Sequence, residues 1–192
     1  DYARPDHVTL TPVNLHAVVS SCVYAVQDHR ELQITMSVPE DLNVLADEVE
    51  LARVISNLLE NARRYGKAED TGITNVDIAA KGRENWVLVK LRDHGPGVPP
   101  EQLSNLTKPF FRGDSARTAA AGAGLGLSIV DKTVQRMGGI FALANSSTGG
   151  LVAHLQLQRA TDLPEGADPK QRLQRPSVKR QLPRRRAEDR MA

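Results

Sequence analysis

Two runs of residues, 73–80 and 86–92, constrain this chain more than any other feature. They carry the strongest strand signals in the sequence, and the Lys81-Gly82-Arg83 segment between them is a turn, so together they read as an antiparallel hairpin. A hairpin is marginal in water and needs a covering layer. The cover is legible just upstream, where Leu51, Ile55, Leu58, Ala62 and Tyr65 recur at helical spacing. Asp47, with Glu50 three residues on, has the pattern of a capping box at the start of that helix, and Gly66 stops it.

The remaining elements complete the layers. Strands are expected at 8–15 around Pro12, at 32–38 ending before Pro39, at 43–46, at 140–144 and at 151–157. Helices are expected from an Asn14 cap to about residue 28, briefly after Pro99-Pro100 to Leu106, and over 125–137 before Gly138-Gly139. The sum is an α+β fold, a two-layer α/β sandwich of a mixed sheet with helices packed on one face. Residues 107–123 lack periodicity and are rich in Gly, Ala, Ser, Thr and Arg, the composition of a mobile loop.

Composition excludes several classes. With 40% hydrophobic and 25% charged residues the chain is ordinary for a globular protein. Its longest apolar stretches, such as 18–26, fall well short of the roughly 20 residues that span a bilayer, and no signal peptide is read at its start. The single Cys22 lies in an apolar helical run and is expected to be a buried, reduced thiol. The net charge of +2 is uneven: residues 1–159 carry 16 basic and 18 acidic side chains, and residues 160–192 carry nine basic and five acidic. That second segment, with four prolines and Arg184-Arg185-Arg186, is expected to be a disordered basic tail following a domain of residues 1–159, and no nucleic-acid partner is expected for it.

Four groups of residues carry chemistry. Asn57, Asn61 and Arg64 lie at i, i+4 and i+7 on the helix after Asp47, a polar stripe in which an amide oxygen suits Mg²⁺ and a guanidinium suits phosphate. Asp93-His94-Gly95-Pro96-Gly97 follows a strand directly; an Asp at a strand end accepts a hydrogen bond from an exocyclic amine, and the glycines allow close backbone approach to a flat ligand. A Phe-containing segment, Lys108-Pro109-Phe110-Phe111-Arg112-Gly113, leads into residues 114–117. Gly122-Ala123-Gly124-Leu125-Gly126-Leu127 then opens a helix, where free amides and the positive dipole end form a phosphate cradle. No strand feeds these glycines and no GxxxxGK[ST] occurs, so neither a Rossmann fingerprint nor a P-loop is present.

In their order along the chain the four groups resemble the asparagine, first glycine, phenylalanine and second glycine boxes of sensor histidine kinases, and residues 61–66 and 111–118 resemble the osmosensing, EnvZ-like branch. The similarity covers about residues 8–158 and implies the Bergerat ATP-binding fold of the GHKL superfamily, with ATP and Mg²⁺ as cofactors. It implies Asn61 as the Mg²⁺ ligand, Asp93 as the adenine reader, Gly95 and Gly97 as the pocket floor, and Tyr65 beside the nucleotide. Asn57 and Arg64 would face the phosphates as catalytic groups. Gly122, Gly124 and Gly126 would wrap them, with Leu125, Leu127, Phe110, Arg112 and Arg117 in the same binding set.

ATPases of this superfamily carry a Glu four residues before the Mg²⁺-binding Asn, and here that position is Asn57, which cannot act as a general base. The resemblance therefore implies transfer of the γ-phosphoryl group to a histidine on a dimerisation domain, for relay to a response regulator, rather than hydrolysis; a hydrolysing ATPase or a nucleotide-binding regulatory module is the alternative. His7-Val8-Thr9-Leu10-Thr11-Pro12 imitates the acceptor motif, but Val8 replaces its acidic residue and the segment alternates as a strand. The acceptor is expected outside this chain, which would be monomeric by itself and part of a membrane-bound homodimer, on the cytoplasmic side of the inner membrane, in its parent.

Overall fold

The computed structural model describes residues 8–108 and 126–161. In chain order its elements are β1 (Thr11–Asn14), α1 (Leu15–Ala25), β2 (Leu32–Ser37), β3 (Asn43–Ala46), α2 (Glu48–Tyr65), β4 (Thr74–Gly82), β5 (Trp86–Asp93), a 3₁₀ helix (Pro100–Asn105), α3 (Gly126–Arg136), β6 (Ile140–Asn145) and β7 (Leu151–Gln158). His7, Phe110, Arg112, Arg117, Gly122, Gly124, Leu125 and the segment beyond Thr161 lie outside the described residues.

The hairpin is formed as its sequence implies: β4 and β5 pair antiparallel from Val76↔Asp93 to Gly82↔Val87. It becomes the middle of a five-stranded sheet of order β2-β4-β5-β7-β6, in which only β2 and β4 run parallel. Val76, Ile78, Val87, Val89, Leu91, Leu155 and Leu157 are buried on one side, whereas Asn75, Leu88, Lys90 and His154 are exposed on the other. The buried side receives Val18, Val19 and Cys22 of α1, Leu51, Val54, Ile55, Leu58 and Leu59 of α2, and Val130 and Val134 of α3, all in one core cluster. This is the two-layer α+β sandwich with helices on one face.

A second, smaller pairing was not legible: β1 and β3 form their own antiparallel pair, from Thr11↔Ala46 to Asn14↔Asn43, and Val44 bridges to Arg159 beside the main sheet. α1 ends at Ala25, short of the expected residue 28, because Val26 and Gln27 turn their N–H groups to the carbonyls three residues back. The segment after Pro99 is a 3₁₀ helix.

At the N-terminus of α2 the Asp47 carboxylate accepts from Glu50 N–H at 3.0 Å. The reciprocal half of the capping box is absent; Glu50 Oε1 accepts instead from Arg53 Nη1 at 3.0 Å, and Arg136 of α3 stands 3.9 Å from Oε2. Glu50 is therefore held by Arg53 of its own helix, with a longer ion pair reaching across to α3, instead of closing the capping box. Cys22 is buried as expected, and burial pushes its thiol pKa up. Among the described residues no helix is long and apolar enough to cross a membrane.

Two substitutions test this packing. Asp47→Ala should lower stability by about 1 kcal/mol through loss of the cap, and Ile55→Ala, at a site with no exposure, by about 2–5 kcal/mol. Urea unfolding followed by circular dichroism measures both; an Asp47→Ala cost as large as that of Ile55→Ala would mean the cap is misassigned.

Candidate functional site

The last residue of β5 is an acid facing inward. Asp93 occupies the next core-facing position after Val87, Val89 and Leu91, and it is only 5% exposed. Its Oδ1 accepts two backbone N–H groups, from Gly95 at 3.0 Å and from Leu151 at 3.2 Å. Burial pushes its pKa above the ordinary 3.8, while these two bonds and the neighbouring His94 and Arg92 pull in the opposite direction. Among the described residues no hydrogen bond reaches Oδ2. One half of the carboxyl group holds the fold and the other is left to accept from a ligand N–H.

Close backbone packing surrounds this acid. A Cβ on Gly95 would lie 2.7 Å from Gly66 Cα, and one on Gly66 would lie 2.7 Å from Asp93 Cβ. Gly66 thus serves more than to stop α2: its φ of −97° is open to any residue, and the requirement is for space. A Cβ on Gly150 would collide with Asp93 O. Gly97 has φ +73°, a left-handed conformation that costs other residues, and rests against Asn145 Oδ1. The two glycines after Asp93 therefore have reasons internal to the protein.

The same turn is fixed from outside. His94 Nε2 lies 2.7 Å from Asp77 Oδ2 on β4, and His94 N–H donates to Asn75 O. Arg92 Nη2 donates to Thr148 Oγ1 at 2.7 Å and Gly149 O at 2.9 Å, gripping the β6–β7 turn.

α2 enters the site through its last two turns, since Gly66 touches Asp93. Asn57 and Asn61 are half-buried, and neither amide is hydrogen-bonded among the described residues. Their carbonyl oxygens are thereby free to bind a hard cation or a donor. Tyr65, 41% exposed, stands immediately before Gly66. Arg64 donates from Nε to Glu60 Oε1 at 2.7 Å, and Arg63 makes two further bonds to that carboxylate, so Glu60 is held at a pKa of about 2. The Arg64–Glu60 pair is thus formed within α2, four residues apart.

Gly126 is the first residue of α3, with Leu127 buried behind it, and among the described residues a Cβ on Gly126 would meet no atom beyond its chain neighbours and its own helix within 4 Å. Gly66, Gly150, Leu151 and Asn145 belong to the geometry of the site without having been picked out from the sequence. The stop at Gly66 was visible from the sequence, but nothing local marks the partners these residues pack against.

Comparison with known proteins places this geometry in a recognisable group. A family model described as histidine kinase-, DNA gyrase B-, and HSP90-like ATPase matches residues 46–161. The signal transduction histidine-protein kinase BaeS of Escherichia coli is 34% identical over 135 residues, covering 70% of this chain and 28% of BaeS. The structure of the mycobacterial sensor histidine kinase MprB superposes with a TM-score of 0.70 at 25% identity, covering 79% of this chain and all of that one. The catalytic domain of histidine kinase ThkA shares the fold at 23% identity and a TM-score of 0.68, covering 78% of this chain and 95% of that one; ThkA has also been solved with the response regulator protein TrrA. The chain spans between 26% and 30% of the length of such sequence relatives.

Packing separates the glycines in a testable way. Gly95→Ala should cost about 1–3 kcal/mol, since two backbones must part, whereas Gly126→Ala should leave the melting temperature unchanged or slightly raised, alanine being the better helix former. Differential scanning calorimetry of both variants checks this; equal destabilisation would contradict the assignment of Gly95 to backbone contact.

Proposed function

Because the chain belongs to the histidine kinase-, DNA gyrase B- and HSP90-like ATPase family, and within it to the catalytic ATP-binding domains of sensor histidine kinases, we propose that it phosphorylates a histidine with Mg·ATP. The acceptor histidine lies on a helical dimerisation segment outside residues 1–192, and the phosphoryl group passes from it to a response regulator. The observation that carries this reading is the half-satisfied Asp93 carboxylate, with Oδ1 committed to backbone and Oδ2 left to receive the amine of adenine.

The residues divide the work. Asp93 orients the base, and Gly97 and Tyr65 bound its pocket. Asn61 would hold Mg²⁺ through its amide oxygen, and Asn57 would contact the triphosphate; both amides are accessible and uncommitted. When bound, Mg²⁺ neutralises phosphate charge. Gly126, at the start of α3, with no described side chain or distant backbone within 4 Å of a Cβ there, would lie beside the phosphates, where the N-terminal end of a helix favours an anion. Arg64, paired with Glu60 through Nε, would contact a phosphate through its Nη groups. Phe110, Arg112, Arg117, Gly122, Gly124, Leu125 and Leu127 complete the expected binding set.

Transfer is favoured over hydrolysis by what α2 lacks. Activation of water needs a base with a pKa near neutrality. Asn57 is an amide, and Glu60, gripped by Arg63 and Arg64 with a pKa of about 2, is too weak a base. A positioned imidazole from another segment supplies its own nucleophile and needs no such base.

Three outcomes are expected. Asp93→Asn should keep the fold, because an amide oxygen at Oδ1 still accepts both backbone N–H groups. It presents a donor to the adenine amine instead of an acceptor, so affinity for an ATP analogue should fall about 10- to 100-fold by isothermal calorimetry. In the parent chain the affinity should also decline as pH is lowered through the raised pKa of Asp93. Binding favours the ionised form and so is present above that pKa and lost below it. Finally, the chain with radiolabelled ATP should label a separately made histidine-bearing hairpin but not itself. Rapid steady-state hydrolysis without the hairpin would instead support an ATPase, and nucleotide binding with neither reaction would support a regulatory module.

A further inference from the structure

The turn that follows Asp93 needs a second anchor, because a single acid cannot hold both ends of a loop. At its far end the side chain of Asn145, the last residue of β6, makes two hydrogen bonds to one residue: Val98 N–H donates to Oδ1 at 3.0 Å, and Nδ2 donates to Val98 O at 2.6 Å. The pairing fixes the orientation of the amide, since only the oxygen can accept from N–H and only the nitrogen can donate to C=O. An asparagine side chain here imitates a strand neighbour and ends the loop as a ladder would. Gly97 sits on the same amide, where a Cβ would lie 2.8 Å from Oδ1. Beyond Val98 the chain turns into the 3₁₀ helix, which packs on β6.

Asn145 is also rigidly placed. It pairs with Leu151 across β6 and β7, and Leu151 N–H is one of the two donors to Asp93. Ser146 N–H donates to Gly150 O, and Arg92 holds the tip of the same turn. The segment 145–151 therefore touches the 93–98 loop at both ends, at Asp93 through Leu151 and at Val98 through Asn145. Displacing one end rotates the loop about the other.

We infer that Asn145 is a positioning residue of the base pocket, holding Gly97 and Val98 so that the loop from Asp93 presents a fixed floor to the adenine ring. It acts through Val98 and Gly97 and touches no phosphate. The inference rests on the reading of Asp93 as the adenine acceptor, and the two are separable by experiment.

The chain and its Asn145→Leu and Asn145→Ser variants are titrated with adenosine, with a non-hydrolysable ATP analogue and with magnesium tripolyphosphate, while amide hydrogen exchange is followed at Val98. Each variant should weaken the adenosine-containing ligands roughly five- to tenfold, the effect of about one net hydrogen bond. Tripolyphosphate binding should be unchanged, and exchange at Val98 should accelerate. Equal binding of the ATP analogue by wild type and variants, or an equal loss for tripolyphosphate, overturns the inference. If wild type itself binds no adenosine-containing ligand, the reading of Asp93 fails first. Asn145 is exposed, so the shorter Asn145→Ser decides the matter should the leucine variant misfold.

Discussion

Everything in the site hangs on one buried carboxyl group. Asp93 ends the central strand of the hairpin, and its Oδ1 draws the N–H of the following turn and the first N–H of β7 to a single point. A charge so enclosed is costly to desolvate, and the two amide donors offset part of that cost. Removing either donor would leave the acid under-satisfied, so the loop and the β6–β7 turn stay where they are because the acid is there. The remaining oxygen is left without a hydrogen bond among the described residues, and the proposed base recognition rests on it.

This arrangement explains why the glycines cluster. Gly66 at the end of α2, Gly95 after β5 and Gly150 before β7 come together around Asp93, and each would clash with backbone or with the acid if it carried a side chain. The helix that supplies Asn57 and Asn61 is thus docked against the strand that supplies Asp93 by direct backbone contact. Small errors in helix placement cannot be absorbed by side-chain rearrangement at such a junction. The spacing between Asp93 and the two α2 asparagines is set by that contact.

Much of this was legible in the sequence, and the limits have physical causes. The hairpin, α2 with its Asp47 cap and the strand 43–46 follow from short-range periodicity and capping, where the causal residues are a few positions apart. The pairing of β1 with β3, the diversion of Glu50 to Arg53 and Arg136, and the clamp of Asn145 on Val98 depend on residues far apart in sequence, and no local pattern encodes them. Asn145 looks like any polar residue at the end of a strand. Gly66 was read as a stop and does cap α2, but its close packing on Asp93 and Gly95, which leaves no space for a side chain, was not visible. Spacing puts Arg64 on one stripe with Asn57 and Asn61, and the structure adds the bond from its Nε to Glu60.

The same contrast separates family-level chemistry from local detail. The order of the four boxes and the comparisons agree on an ATP-binding catalytic domain, and the proposal of transfer over hydrolysis rests on the amide at Asn57 and on a Glu60 carboxylate held at a pKa of about 2. The base-recognition claim beneath it is the most direct to test. Calorimetric titration of the chain and of Asp93→Asn with Mg·ATP and with Mg·ITP, which carries an oxygen in place of the 6-amino group, isolates the one contact on which the account rests. ATP should bind the native chain at least ~10-fold more tightly than ITP, and Asp93→Asn should abolish or reverse that preference. Equal affinity of the native chain for both nucleotides, or an unaltered preference in Asp93→Asn, would contradict the account.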